Sequence, residues 1–390
     1  MPNIKNTNLL QNRNLYLIFI ITLFAVMGVA SITPAFPSII KYFNISARKV
    51  GLLITVFTLP SLLLTPVMGI LADRIGRKII LIPSLFTFGI AGFFCSLTKT
   101  FEILLLLRFL QGVGAASLGT LNITLIGDIF KNEERAAAMG YNASVLSIGT
   151  AFYPFIGGSL AMLGWNFPFI LTLFAIPAGL VLIWKLDNPE LEEKQKMKQY
   201  LKNVWKNINK KNVWGIFIIT TLLFVMLYGV YLTYFPLLLE NRLNANSFRI
   251  GLIMSFASIT TALVSFNYGK LSRYLNFHKL LIFGFILYSI CMLILSGAYN
   301  WLFIIISVFL FGLGQGLLIP TVQNYMVDLA PMKERAAFMS INSVVLRVGQ
   351  TIGPLIIGIF YGIGGLQWAF IVGSIIAISQ IIVKLFLITK

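Results

Sequence analysis

Acidic residues are scarce in this 390-residue chain: 12 aspartates and glutamates stand against 30 lysines and arginines, a formal net charge of +18. Charge of either sign is scarce too, at 11% of residues, against about 25% in soluble domains. So few ions cannot cover a water-exposed surface of ordinary size, which excludes a soluble globular protein. One histidine, His278, and two cysteines, Cys95 and Cys291, supply neither a zinc ligand set nor a disulfide framework. Each cysteine lies inside an apolar run, as a small buried residue does. No GxxxxGK[ST] phosphate loop occurs, so ATP is not bound by that route. The first apolar stretch, Leu15 to Ile40, lacks an A-x-A cleavage site and is too long for a signal-peptide core, so it reads as a first span.

What the chain does have is apolar length. Hydrophobic residues make up 58% of it, with a mean hydropathy of +0.89. A helix crossing a hydrocarbon core of roughly 30 Å needs about 20 apolar residues. Twelve stretches qualify: 15–37, 49–71, 79–97, 102–126, 137–162, 167–186, 213–238, 249–268, 280–297, 301–326, 337–362 and 367–388. The expected fold is therefore an all-α membrane protein of twelve transmembrane helices. The best-defined hydrophilic interruption, 187–212, separates an N-terminal half, 1–186, from a C-terminal half, 213–390. It is expected to be a cytoplasmic linker, partly helical and lying along the membrane surface.

An even number of spans puts both termini on one side. Assigning that side to the cytoplasm of a cell-membrane protein places 22 of the 30 basic residues inside and six outside, with Arg108 and Arg347 within spans. That follows the positive-inside rule and accounts for the net charge through anionic lipid rather than nucleic acid. Membrane lipid and a small-molecule substrate are the expected partners, and a monomer the expected state.

Shifted by 200 residues, the sequence matches itself. Asp128 falls on Asp328, Glu134-Arg135-Ala136-Ala137 on Glu334-Arg335-Ala336-Ala337, and Asn142 on Asn342. Gly149, Pro154 and Gly158 fall on Gly349, Pro354 and Gly358, and Gly112 and Gly114 on Gly312 and Gly314. Shared charges and glycines are not explained by shared greasiness. Two homologous six-helix halves imply a pseudo-two-fold axis along the membrane normal, with a site between them near the midplane.

Three stretches then carry a resemblance. GILADRIGRKI, Gly69–Ile79, resembles the cytoplasmic loop signature of the major facilitator superfamily, between spans 2 and 3. RFLQGVGAA, Arg108–Ala116, is similar to the span 4 motif of its drug–proton antiporter branch. GQTIGPLIIG, Gly349–Gly358, resembles the Gly-Pro motif of antiporters, although that motif belongs in span 5, where this chain has GTAFYPFIGG with Tyr153 in place of a glycine.

The resemblance implies a gate at the cytoplasmic ends of the helices: Asp73, Arg74, Gly76 and Arg77 in the loop, with Arg77 pairing to Asp128. The repeated elements around Asp128/Arg135 and Asp328/Arg335 offer further charge pairs there, or simple helix-end capping. The second half has Arg273 where the first has Asp73, so only one clamp is expected. Gly149, Pro154, Gly349, Gly353 and Pro354 form the expected hinges, because glycine permits close helix approach and proline interrupts the backbone ladder.

None of the twelve acids falls at mid-membrane, which departs from the many proton-driven exporters that keep a carboxylate in span 1 or span 4. The two intramembrane charges are both positive. Arg108 lies about 9 Å into span 4 from outside, and Arg347 about 15 Å into span 11 from inside. Ionisable groups at such depths face a cavity or a partner. Arg108 reads as a proton relay, a gate, or a pin on carbonyls of span 1. Arg347 reads as a cavity cation or a tether between halves. Glu102 lies about 240° around the helix from Arg108 and is not expected to pair with it. Gln111, Asn142, Tyr153, Tyr231, Gln315, Asn342 and Gln350 complete the expected coupling or substrate cavity, with Asn122, Tyr228, Tyr234, Gln323 and Asn324 as further pathway groups. No mid-membrane His, Asp or Glu set suits catalysis, and no cofactor is expected beyond a proton gradient as energy source.

The resemblance thus implies a secondary exporter of small organic molecules, such as drugs or metabolites, driven by proton antiport through alternating access. The two buried arginines leave an alternative open: a transporter of organic anions, sugars or lipid-linked sugars, working as a uniporter.

Overall fold

The computed structural model describes residue 9 and residues 11–186, 209–330 and 335–388; the side chains of Asp73, Asn132, Glu133, Arg335, Ala336 and Ala337 lie outside that description. The expected linker falls almost wholly on residues that are not described. Among the described residues there is helix and no strand, as a chain in lipid requires: with no water to bond its amides, each segment must satisfy them internally.

Among the described residues, eleven helical stretches are long and apolar enough to cross a membrane. They are α1 (Arg13–Phe43), α2 (Ala47–Ala72), α3 (Arg77–Cys95), α4 (Phe101–Ile129), α5 (Glu134–Ala161), α6 (Phe167–Lys185), α7 (Lys211–Leu243), α8 (Ser247–Tyr274), α9 (Phe277–Gly297), α10 (Trp301–Leu329) and a 50-residue stretch, Phe338–Leu387. Fifty residues rise about 75 Å as one helix, more than twice the hydrocarbon thickness. The backbone breaks inside it at Gly364 (φ −142°, ψ 26°) and Gly365 (φ 64°, ψ −154°). Gly365 occupies a region closed to residues with a Cβ. The break makes two passes, α11 (335–363) and α12 (366–387), and twelve crossings in all. Most helices overrun their apolar cores by a few residues, because the ladder continues into the headgroup layer.

Three helices are irregular, among them α6, with a 3-10 turn at Leu171–Phe174. A 3-10 turn at Thr33–Ala35 interrupts α1. In α7 the middle nine residues, Met226–Tyr234, form a π-helix. Hydropathy is blind to that change of winding.

The repeat is visible in bonds as well as letters. Thr65 Oγ1 donates to the Ala116 carbonyl at 3.0 Å, and its mate Ser265 donates to the Gly316 carbonyl at 3.2 Å. Asn44 and Asn244, also 200 apart, both end a helix in the left-handed conformation at φ 49°. A Cβ on Gly112 would overlap the Phe57 carbonyl, and one on Gly312 would stand 2.7 Å from the Ala257 carbonyl. The same close crossing of second and fourth helices is built twice. The fold is two pseudo-symmetric six-helix bundles.

The bundles meet along α5 against α8 and α2 against α11. Helix ends on one face carry the loops 73–76, 130–133 and 275–276 and are called the basic end here; the loops at 44–46 and 244–246 mark the opposite end.

Candidate functional site

The cross-bundle bonds gather toward the end opposite the basic one. Lys41 on α1 forms an ion pair with Glu240 on α7. Ser38 and Ser247 hydroxyls lie 3.4 Å apart. Deeper in, Thr55 Oγ1 donates to the Thr351 carbonyl at 2.9 Å, and Thr351 Oγ1 donates to Thr58 Oγ1 at 3.0 Å. Glycines let the backbones touch: a Cβ on Gly251 would overlap the Pro154 carbonyl, one on Gly158 the Ser247 carbonyl, and one on Gly51 would sit 3.1 Å from Pro354 Cβ. A cavity of about 300 Å³ lies beside the ion pair, bounded by Ser38, Lys41, Glu240, Asn246 and Ile250 among others. Along the α5 face that meets α8 the pattern runs out: Gly158, Pro154 and Ala151 are buried, whereas Ser144 and Gly140, at the same helical spacing, are exposed. The seal occupies one end, and the bundles part toward the basic end.

The expected hinge residues sit inside this seal or beside it. Pro154 faces Gly251 of α8, and Pro354 faces Gly51 of α2. Gly353 packs on the Val225 and Gly229 backbone where α7 turns π-helical, and Gly349 on the Thr221 carbonyl. Gly149 lies against Leu23 and Val26 of α1, with the buried Tyr153 ring beside it.

Arg108 is fully buried within the first bundle. Its Nε donates to the Leu53 carbonyl at 3.1 Å and its Nη1 to Gln111 Oε1 at 2.7 Å. Its guanidinium lies 4.1 Å from the Phe57 ring centroid. The carbonyl it engages belongs to α2, not to span 1 as the sequence suggested, because Gly112 draws α4 onto α2 one turn away. Glu102 is exposed in the first turn of α4, away from Arg108. The second bundle has Val308 at this position, and instead a stack of Tyr231, Phe235, Phe311 and Tyr288, with Tyr231 and Phe311 centroids 3.9 Å apart.

Several expected cavity groups are committed elsewhere. Asn142 accepts from Thr22 Oγ1, which in turn accepts from Asn122 Nδ2 at 2.8 Å, a knot joining α1, α4 and α5. Asn342 accepts from Thr220 at 3.4 Å within the second bundle. These asparagines hold their own bundles together, which residue type alone did not reveal. Gln315 and Gln350 are buried, Gln323 and Asn324 exposed. Tyr234 stacks on Tyr361 at 4.9 Å near the sealed end.

Arg347 is different. It is half-buried on α11 and reaches the other bundle: a Cβ on Gly119 of α4 would stand 3.2 Å from its Nη2. Its Nε is buried without a hydrogen-bond partner. Tyr228, on the π segment, is close enough to interact with it electrostatically. Its repeat mate Ser147 merely bonds back to the Ala143 carbonyl at 3.0 Å.

At the basic end, Arg77 Nε lies 2.9 Å from Asp128 Oδ2, and Arg77 Nη1 donates to the Ala72 carbonyl at 3.3 Å. Gly76 makes the sharp exit from α2 at φ 106°, a conformation that admits glycine. Arg74 is exposed, and Lys78 caps the end of α6 through the Leu186 carbonyl at 2.9 Å. Arg135 lies over Gly127, one residue from Asp128. In the second bundle Asp328 and Arg273 are both exposed. The side chains of Asp73 and Arg335 lie outside the described residues.

Sequence reasoning missed the Lys41–Glu240 pair, the Thr55–Thr58–Thr351 cluster and the π segment. A signal existed for the first: opposite charges at nearly equivalent ends of the first helix in each repeat. No signal in sequence marks the others.

Twelve membrane-crossing helices in two pseudo-symmetric bundles, joined at one end with a charge left in the cleft between them, define the class of two-bundle membrane transporters. The sequence profile of the Major Facilitator Superfamily matches residues 18–273 and 238–390, and the chain belongs to that superfamily. It is 25% identical over 360 residues to Multidrug resistance protein 1 of Bacillus subtilis (strain 168), covering 91% of this chain and 92% of that one. It is 27% identical over 364 residues to Quinolone resistance protein NorA of Staphylococcus aureus (strain MSSA476), covering 90% and 91%. Among solved structures it resembles a bacterial homolog of the human lysosomal transporter Spinster, in an inward-facing and unoccupied conformation (TM-score 0.79, 16% identity, covering 99% of this chain and 96% of that one). It also resembles the nucleoside transporter NupG (TM-score 0.78, 11% identity, covering 97% and 100%).

Proposed function

We propose that this protein exports drug-like small organic molecules across the cell membrane by proton antiport. The observation that carries the reading is similarity along nine-tenths of the chain to two resistance proteins. A cleft between bundles sealed only at the far end supports it. With the basic end on the cytoplasmic side, as the positive-inside rule favours, the cleft faces the cell interior and takes substrate from there.

The seal then works as the outer gate. Lys41–Glu240 and the Gly251–Pro154 crossing must separate when the bundles rock, and both suit reversal. An exposed ion pair is worth about 1 kcal/mol or less, and glycine contacts slide without prising side chains apart. At the inner end, Arg77–Asp128 fastens the loop after α2 to the end of α4, so that the first bundle turns as one piece. Arg108 does the same deeper in, tying α4 to α2. Binding of substrate and proton to alternate states supplies the differential affinity that moves the equilibrium.

The test is transport by purified protein in proteoliposomes. Ethidium should accumulate against its gradient only when a pH difference is imposed. Uptake that ignores the pH difference defeats proton coupling; ethidium that never moves, alongside a fluoroquinolone that also never moves, defeats export itself.

A further inference from the structure

Arg347 is an intramembrane cation that no ion pair among the described residues includes. Among the described residues, Lys41 pairs with Glu240 and Arg77 with Asp128, each at a helix end. Arg347 stands about 18 Å along α11 from its first residue, Arg335, far from both. A guanidinium at that depth is held at considerable cost unless something satisfies it. Arg108 shows how the fold satisfies one when the role is internal: it is fully buried, with a carbonyl, a glutamine and an aromatic face around it. Among the described residues, Arg347 has no such carbonyl or glutamine partner. It is half-buried in the cleft, its Nε lacks a partner, and it reaches toward Gly119, a residue with no side chain to fill the space. The fold itself does not require the charge, since the repeat mate is Ser147.

From this we infer that Arg347 is the anchor for an anionic group on the transported molecule, a carboxylate held by the guanidinium fork. The fork matches two carboxylate oxygens at once, and in a low-dielectric cleft such charge-assisted bonds are the strongest available. The neighbours set the rest of the ligand. Tyr228 lies within electrostatic range of the guanidinium, and Phe224 lies 6.1 Å from Tyr228, centroid to centroid, on the same helix. An aromatic carboxylic acid places its charge on Arg347 and its ring against that pair. The π winding of α7 over 226–234 sets the facing of Tyr228, so the site is made by tertiary structure on both sides. This inference rests on the export reading and assigns Arg347 to those transported molecules that carry a carboxylate.

The test uses wild-type, Arg347→Gln and Arg347→Lys proteins in phosphatidylcholine nanodiscs. Equilibrium binding is measured for norfloxacin, an aromatic carboxylic acid with a piperazinium, for its carboxamide, which keeps the piperazinium and lacks the carboxylate, and for tetraphenylphosphonium. Wild type should bind the acid about tenfold more tightly than the amide. Arg347→Gln should bring that ratio to about one, and Arg347→Lys should leave it between the two, a lysine being a point charge without the fork. Melting temperature verifies that each variant is folded; should Arg347→Gln fail to fold, the wild-type ratio and Arg347→Lys still decide. Equal affinity for acid and amide in wild type, or an unchanged ratio in Arg347→Gln, overturns the inference. Binding of tetraphenylphosphonium but of neither quinolone overturns it too and leaves the export reading intact. An acid preference without transport in proteoliposomes does the reverse.

Discussion

Lys41 on α1 is joined to Glu240 on α7 across the boundary between the two bundles. The lysine is 71% exposed and the glutamate 23%, so the bond is a light latch rather than a weld. Lys41→Glu and Glu240→Lys should each open the sealed end more often, by up to about fivefold in population, the factor that 1 kcal/mol sets. The charge-swapped double variant should recover the closed state. Thiol labelling of a cysteine placed at Ser38, from outside the cell, reads the opening; equal labelling in all four proteins removes the latch from the mechanism.

The α5–α8 crossing is the less forgiving part of the seal. Gly251→Leu puts a side chain where the Pro154 carbonyl stands. The bundles should be held apart there, with transport reduced at least tenfold while each bundle stays folded. Gly269, on the same helix with open space around it, is the control, and Gly269→Leu should transport as wild type does. Transport by Gly251→Leu at the wild-type rate contradicts the assigned close approach.

Arg108 should prove irreplaceable by lysine. Arg108→Lys keeps the charge but loses the fork that reaches the Leu53 carbonyl and Gln111 together. A fully buried ammonium left short of partners should cost about 2 kcal/mol, seen as a lower melting temperature in detergent. Arg108→Met, similar in length and without charge to bury, should melt above Arg108→Lys. The opposite order points to a role for the charge itself.

The Arg77–Asp128 pair predicts a kinetic effect more than a structural one. Arg77→Ala should shift the melting temperature by no more than about 1 kcal/mol warrants, yet slow turnover several-fold by loosening the loop from α4. Asp128→Asn should match it, and the double variant should be no worse than either single one. Additive losses place the two residues in separate devices.

Much of this was legible in the sequence because the bilayer is a simple solvent. It asks for about 20 apolar residues per crossing, and the chain answers twelve times, with helix ends within a few residues of the hydropathy limits. The 200-residue repeat was legible in charges and glycines, and Asn44 and Asn244 repeat it in backbone geometry. Arg77 with Asp128 could be paired from a motif because both stand at the same end of neighbouring helices. Asn142 and Asn342 could not be assigned: an asparagine in an apolar run faces either a cleft or a neighbouring threonine, and rotation of the helix decides. The break between α11 and α12 was legible too: the hydropathy limits leave 363–366 between two spans, and the backbone breaks there at Gly364 and Gly365.

By itself, then, the sequence determined the solvent, the number of crossings, the duplication and the two arginines that apolar surroundings would not ordinarily tolerate. Tertiary structure alone decided what each arginine does. Arg108 was enclosed because Gly112 lets α4 sink onto α2 and bring the Leu53 carbonyl within reach. Arg347 was left in the cleft because the bundles close at the opposite end and Gly119, which has no side chain, stands opposite it. Burial depth can be counted along a helix, but which side of the helix meets a partner depends on how helices far apart in sequence cross.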